Sequence, residues 1–378
     1  MDNTVLHIVS ETTRRFLHMY GLMNKAKYLA LGLMALSLMI LSGPDALAQT
    51  TRGSLGESGS RAGTAGASEL LVPMTARTTA LGGATAAGMA DMGGVEALYS
   101  NPAGLALNSG TAAMFSRVEY VADIGVNYLA LGQSVGANSN IALTISSWDF
   151  GSLPTTTENS PENSNVTFDA SYVTAGLSFA RQLTDRIAAG VTMKIVSEKI
   201  ASANASTVAW DAGMTYVVGE SGLRLGVSLK NIGSELQFSG NGLIRQVNIP
   251  GQEPTANANT LMFESEGVQL PTLLNFGASY TTNLGASSAF TFLGNFRSNS
   301  FDQDQYSFAL EYGFQELFYL RGGYVADEGV EESFFKGASY GAGLNLGLGG
   351  SAKLRVDYTI VPTDFFDDVQ YITATINL

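Results

Sequence analysis

"RIAAGVTMKIVSEKI", residues 186–200, places apolar side chains at every second position: Ile187, Ala189, Val191, Met193 and Ile195. Between them stand Ala188, Gly190, Thr192, Lys194, Val196 and Glu198, small or polar with the exception of Val196. Successive side chains of a strand point to opposite faces, so a period of two describes a strand with one apolar and one small-polar face. The pattern runs on toward the C-terminus. Val208, Trp210, Ala212, Met214, Tyr216 and Val218 alternate with Ala209, Asp211, Gly213, Thr215 and Val217. Leu223, Leu225, Val227 and Leu229 alternate with Arg224, Gly226, Ser228 and Lys230, and Ile372, Ala374, Ile376 and Leu378 alternate with Thr373, Thr375 and Asn377.

Fourteen such segments fill the chain from Thr111 onward, centred near residues 115, 128, 143, 175, 193, 212, 227, 275, 293, 310, 321, 342, 356 and 374. After even-numbered segments the connections are brief, as in "LTDR" (183–186), "GESG" (219–222) and "QEL" (315–317). After odd-numbered ones several are long: 150–165, 233–268, 325–335 and 361–368. The first connection, near 121–123, is short and departs from that rule. An even strand number with short turns on one rim and long loops on the other predicts a transmembrane β-barrel.

A soluble β-sandwich alternates too, but three features oppose it. The apolar faces run about 10 residues, as a membrane strand requires. The opposite face is Gly, Ser, Thr and Asn, too small to pack one sheet on another. Aromatics gather near segment ends (Tyr280, Tyr312, Phe314, Tyr319, Tyr324, Tyr358, Phe365, Phe366), where an interfacial girdle belongs. The expected fold is all-β, a transmembrane antiparallel β-barrel of about 14 strands over residues 111–378.

Composition narrows the function. The 378 residues carry no cysteine, 43 glycines and a net charge of −13, and only 14% are charged. Absence of cysteine excludes a disulfide scaffold and any zinc–thiolate site. The acidic balance repels nucleic acid. The N-terminus reads as a targeting signal: Lys25 and Lys27, an apolar run from Tyr28 to Leu41, then Ala46-Leu47-Ala48 as a cleavage site. Residues 23–48 are thus expected to be a signal peptide and residues 1–22 an over-extended start ahead of Met23. Export to the outer membrane of a Gram-negative bacterium follows, with lipid and lipopolysaccharide as surroundings. Cleavage removes His7 and His18, leaving no histidine, and makes the net charge one unit more negative. Without histidine a Ser–His nucleophile has no base, so the chain reads as non-enzymatic.

Ahead of the barrel, residues 49–68 are Gly, Ser, Thr and Ala with scattered charge and are expected to be a flexible leader, whereas residues 69–110 are apolar but small and broken by glycine. A barrel of this size is wider than the roughly eight strands that side chains fill and narrower than open porins. Residues 69–110 are therefore expected to plug the lumen as a hatch. Within them "EALYSNPAGLA" (96–106) places Asn101, Pro102, Ala103 and Gly104 as a turn from hatch to first strand, with Gly104 supplying the free joint.

Residues 76–107, "ARTTALGGATAAGMADMGGVEALYSNPAGLAL", resemble the N-terminal part of the PorV/PorQ family of Bacteroidota-type bacteria. "GVSLKNIG" (226–233) and "LRGGY" (320–324) look like strand motifs of the same group, which is related to FadL-type transporters carrying the same Asn-Pro-Ala turn. The resemblance implies a fourteen-stranded barrel with a luminal hatch. Its closer arm implies a partner barrel that holds cargo or a subunit of a type IX-like secretion machine. The alternative is FadL-like passage of hydrophobic compounds such as long-chain fatty acids. Two departures stand out. The acidic pair that often precedes Ala-Leu-Tyr is split here into Asp91 and Glu96, and the chain ends in Leu378 rather than an aromatic.

No cofactor or metal site is expected. "GAGLNLGLGG" (341–350) sits inside an alternating segment, without the strand–turn–helix context of a dinucleotide loop. The acidic loop residues, including Asp364, Asp367 and Asp368, lack calcium-ligand spacing. The polar faces carry charge at Lys194, Glu198, Asp211, Arg224, Lys230, Glu311, Arg321, Arg355 and Asp357, all luminal by parity. Opposite signs on neighbouring strands suggest ion pairs, Asp211 with Arg224 and Glu311 with Arg321.

Overall fold

The computed structural model describes residues 63–107, 109–156, 166–247, 259–285, 287–327, 335 and 337–378. The expected over-extended start, signal peptide and residues 49–62 of the leader lie outside the described residues.

Among the described residues sixteen strands follow one another: β1 Thr111–Glu119, β2 Gly125–Ser134, β3 Ser139–Pro154, β4 Thr167–Thr184, β5 Ile187–Ile200, β6 Ala203–Val218, β7 Leu223–Gly233, β8 Ile244–Val247, β9 Asn259–Met262, β10 Leu273–Leu284, β11 Ser288–Asn299, β12 Gln305–Phe314, β13 Phe318–Asp327, β14 Ala338–Gly349, β15 Ala352–Val361 and β16 Val369–Asn377. Fourteen of them close into one antiparallel barrel in which each strand pairs with its neighbours in sequence. β1 meets β16 from Ala112 opposite Asn377 to Glu119 opposite Gln370, which leaves no edge. Each of the fourteen expected centres falls on its own barrel strand. β8 and β9 stand apart as a small sheet within the connection from β7 to β10, which the sequence reading treats as loop. Four residues per strand are too few for a period of two to register.

Burial alternates as the pattern requires, with the outside apolar. Val191, Ile195, Met214, Val227, Phe308 and Ile372 are exposed, whereas Ser116, Thr192, Asp211, Ser228, Glu311 and Thr373 are buried on the inner face. Such an inverted arrangement suits a lipid phase outside and a polar lumen within. One of the expected girdle aromatics is misplaced: Tyr319 is 7% exposed and faces the lumen. Parity with Arg321, two residues on, requires it.

The lumen holds the segment ahead of β1. It is built from a helical turn at Ser68–Leu71, helix α1 at Ala76–Ala80, and 3-10 turns at Gly94–Ala97 and Pro102–Leu107. Every helical turn leaves unpaired backbone groups at its ends, and a buried one must find partners. The polar inner wall supplies them. Thr373 accepts from Ala76 N–H (2.9 Å), Thr359 donates to Ala76 O (2.7 Å), Ser339 to Ala80 O (3.1 Å), Ser279 to Gly88 O (2.6 Å) and Ser228 to Ser100 O (2.8 Å).

At the long-loop rim the connection from β7 to β10 folds back over the start of this segment. Leu236 and Val268 bridge, Gly66 N–H donates to Gln269 O (2.9 Å), and Leu236 is fully buried among Ala67, Leu70, Val196 and Leu270.

Candidate functional site: the hatch and the cavities on either side of it

Asn101 is 2% exposed, and its side chain ties hatch to wall. Its amide donates to Ala86 O in the hatch (2.8 Å) and to Met214 O on β6 and Val227 O on β7 (both 3.2 Å). Its carbonyl oxygen accepts from Ala103 N–H at 3.0 Å. This contact is possible because the wall opposite is glycine. A Cβ on Gly213 would fall 2.0 Å from Asn101 Oδ1, and one on Gly190 2.4 Å from Pro102 O. Gly104, expected as a free joint, plays a different part. Its φ is not positive, and it is needed because a Cβ there would lie 2.3 Å from that of Ala97. Pro102–Leu107 forms a continuous 3-10 turn, and the left-handed residue before β1 is Gly110, φ 76°.

The second anchor is ionic. Arg77, 1% exposed on α1, donates to Asp91 (2.7 Å), Glu96 (3.2 Å) and Glu311 on β12 (2.8 Å). Arg321 on β13 meets Glu311 and Asp357 on β15, both at 2.5 Å. Arg355 on β15 completes the set with Asp91 (3.0 Å) and Glu96 (3.4 Å). Tyr319 presents its ring to all three guanidiniums, at 5.8, 5.3 and 4.6 Å from Arg77, Arg321 and Arg355. The two carboxylates that the sequence separates, Asp91 and Glu96, are thus brought together on shared arginines. Burial raises the Asp91 carboxyl, but the guanidiniums of Arg77 and Arg355 outweigh it and hold it well below the usual range.

The remaining expected luminal charges lie on the other side of the barrel. Lys194 on β5 pairs with Asp211 on β6 (2.7 Å) and donates to Asn231 on β7. Lys230 lies 3.6 Å above the ring of Tyr99. Burial pushes the Tyr99 phenol up to about 12, and its hydroxyl donates to Leu71 O at 2.6 Å. The pairing of Asp211 with Arg224 does not form. Antiparallel register sets Arg224 opposite Val217 on one side and Ser279 on the other, six residues along β6 from Asp211. Asp211 instead accepts from Asn231 N–H (2.8 Å) at a bulge in β7, where Asn231 has φ 59°. Glu198 is 5% exposed on the inner face of β5, near Glu69 of the hatch.

Two groups central to this geometry were not singled out from the sequence, Arg77 and Glu69. Arg77 had a signal: it is the only Lys or Arg between residues 62 and 116, isolated among small residues. Such a charge has to be paired where it is buried.

Cavities lie on both sides of the hatch. Toward the short-turn rim a polar vestibule of about 990 Å³ is lined by Asp91, Glu96, Glu311, Tyr319, Lys353 and Arg355. Toward the long-loop rim lies a cavity of about 520 Å³. Tyr120, Trp148, Phe150, Tyr172, Val325 and Phe335 make its wall apolar, and Val72 and Pro73 of the hatch also line it. Phe150 and Tyr172 meet edge-on at 4.7 Å, and Tyr120 and Trp148 at 5.5 Å. Polar groups at its margin are few. Arg297 donates to Asn275 and Gln305 (both 3.1 Å), and the buried indole N–H of Trp148 has no acceptor among the described residues. A smaller pocket of about 60 Å³ lies between hatch and wall, lined by Leu70, Met74, Tyr99, Lys194, Asp211 and Lys230. Glu69 lines both this pocket and the apolar cavity.

No protein-family model matches the chain, and no curated protein is similar to it in sequence. Solved structures share its fold. The CymD monoaromatic hydrocarbon channel superposes with a TM-score of 0.52 at 12% identity, over 81% of this chain and 97% of that one. A Pseudomonas aeruginosa FadL homologue superposes with a TM-score of 0.51 at 10% identity, over 81% and 98%. The closed fourteen-stranded barrel of this chain is therefore a FadL-like barrel in fold.

Proposed function

We propose that this protein passes an apolar small molecule across the outer membrane. The ligand is taken up in the aromatic cavity at the long-loop rim and released past the hatch into the polar vestibule. The observation that carries this reading is the 520 Å³ cavity itself. It is large enough for a small hydrophobic ligand, walled by aromatics, and sited where the loops meet the exterior. Arg297 offers a polar end to a ligand with a head group, such as a long-chain fatty acid. The fold likeness to a hydrocarbon channel supports the same choice. The secretion-partner reading rests on the sequence resemblance of residues 76–107, 226–233 and 320–324, with the long 233–268 connection as a binding surface.

The chain's two tryptophans make the test direct. Trp148 borders the cavity and is 5% exposed, whereas Trp210 is 50% exposed on the outer face. Titrating the purified barrel in detergent with toluene and with oleate should give saturable quenching that Trp148→Phe abolishes and Trp210→Phe retains. Quenching that disappears with Trp210 instead, or that never saturates for either compound, would overturn the proposal.

A further inference from the structure

Beside the Ser and Thr bonds from the wall, three side chains anchor the hatch, and one of these anchors is unlike the other two. Arg77 and Asn101 are fully partnered, as described above. At the N-terminal arm, residues 63–73, a backbone bond from Gly66 to Gln269 and the packing of Ala67 and Leu70 around Leu236 are joined by a contact between two acids. Glu69 is 4% exposed, and among the described residues neither of its carboxylate oxygens has a hydrogen-bond partner. Glu198 is 5% exposed on the inner face of β5, two residues on from Val196, which packs with the Ala67 and Leu70 that flank Glu69. As two carboxylates they have no donor between them. One proton supplies it.

No cation takes that place. Among the described residues, no ion pair joins Glu69 or Glu198 to a lysine or arginine. Lys194 is engaged by Asp211 and Asn231, and Lys230 by the ring of Tyr99. Tyr172 on β4 and Tyr128 on β2 complete the near surroundings, both phenols. Across the apolar cavity stand Tyr120, Tyr371 and Arg297, the last bonded to Asn275 and Gln305.

We propose that the Glu69–Glu198 carboxyl pair shares one proton and latches the arm of the hatch to β5, so that losing the proton frees the arm. Because Glu69 borders both spaces, its departure joins the apolar cavity to the 60 Å³ pocket beneath. The consequence for transport rests on the passage proposed above. The latch itself does not, and its test reads the arm alone.

Burial, and then Glu198, push the Glu69 carboxyl from 4.5 up to about 8. A raised carboxyl stabilises the latched form fully below the ordinary value and loses that contribution as pH rises through the raised one. The freed arm returns Glu69 to water and its ordinary value. The ratio of freed to latched arm therefore rises about two orders of magnitude between pH 6 and 9.

The chain has no cysteine, so Leu70→Cys (7% exposed) provides a probe of the arm, with exposed Ser68→Cys as the control for thiol ionisation. The ratio of their modification rates by a methanethiosulfonate reagent should climb about a hundredfold from pH 6 to 9 in calcium-free buffer. In Glu69→Gln and in Glu198→Gln the amide donates at every pH, and the ratio should stay flat. A flat ratio in the otherwise unaltered probe proteins, or a climb that survives both glutamine changes, overturns the latch. So does a ratio that answers millimolar calcium rather than protons, because the pair is then a cation bridge. Should either glutamine variant fail to fold, the pH and calcium titrations of the probe proteins decide alone. Toluene binding, measured separately by Trp148 quenching, can fail or succeed without altering any of these outcomes.

Discussion

Removing Arg77 should open the hatch without dismantling the barrel. In Arg77→Ala the four carboxylates of Asp91, Glu96, Glu311 and Asp357 are left facing two guanidiniums, Arg321 and Arg355. Arg77 makes ion pairs to three of those carboxylates, and two of the three, Glu96 and Glu311, are buried. Deleting one partner of a buried ion pair costs about 3–5 kcal/mol, because the desolvated charge left behind has no compensation. The barrel's ladders do not pass through Arg77, so the cost falls on hatch docking. At about 1.4 kcal/mol per factor of ten, the open fraction should rise by about two to three and a half orders of magnitude.

The measurement is hydrogen exchange of residues 76–107 beside conductance in planar bilayers. Exchange should accelerate in α1 and the two 3-10 turns while β12, β13 and β15 keep their protection, and conductance should rise with it. Arg77→Lys keeps a charge but not the fork that reaches several carboxylates, and should fall between wild type and alanine. Glu311→Gln in the Arg77→Ala background should recover part of the loss by reducing the surplus of four carboxylates over two guanidiniums. Unchanged exchange in α1, or a barrel that unfolds as one unit with its hatch, would refute the assignment of Arg77 as a hatch anchor.

Two further outcomes follow from the same contacts. Gly104→Ala should cost about 1–3 kcal/mol by overpacking against Ala97, and Ala97→Gly in the same chain should restore wild-type protease resistance of the hatch. An effect of Gly104→Ala that Ala97→Gly leaves untouched would place the strain elsewhere. The Arg77 node should also be insensitive to mild acid. Its guanidiniums hold the Asp91 carboxyl below the usual range, so the stabilisation is present above 3.8 and lost only as pH falls further. Hatch protection factors in Glu69→Gln, exchange rates divided into the intrinsic rate at each pH, should accordingly be the same at pH 5 as at pH 7.

The strands were legible because each barrel strand spans nine residues or more, and a period of two over that length has no competing explanation. Inward and outward faces followed for the same reason, which is why all nine luminal charges were assigned to the inner face by parity. Pairing was not legible. Asp211 and Arg224 lie on adjacent strands with opposite signs, yet register is set by the turn at 219–222 and the bulge near Asn231, and parity reports neither. Glu311 and Arg321 stand opposite one another in register, so the same reasoning succeeded there. The hatch was legible in outline, from small residues ahead of a wide barrel. Its chemistry was not, because Arg77 and Glu69 acquire meaning only from strands more than a hundred residues away.

The glycine content of the wall has a cause that composition alone does not reveal. A segment of short helical turns exposes backbone at every end, and inside a barrel that backbone must reach the wall within hydrogen-bonding distance. Serine and threonine hydroxyls reach out to it at Thr359, Thr373, Ser339, Ser279 and Ser228. Where the hatch comes closer than a side chain permits, the wall is glycine: Gly226 faces Ala86 O with 2.1 Å to a Cβ, and Gly323 faces Gly82 N with 2.4 Å. The two residue classes that disqualified a sheet-on-sheet core are thus the classes a plugged lumen requires. A barrel meant to stay open has no use for glycines matched to the backbone of its own N-terminal segment. The inner face of this barrel is therefore shaped for the hatch, and a ligand crossing by the proposed passage must move hatch residues. The arm at Glu69, where among the described residues two acids meet without a cation, is the proposed place for that movement to begin.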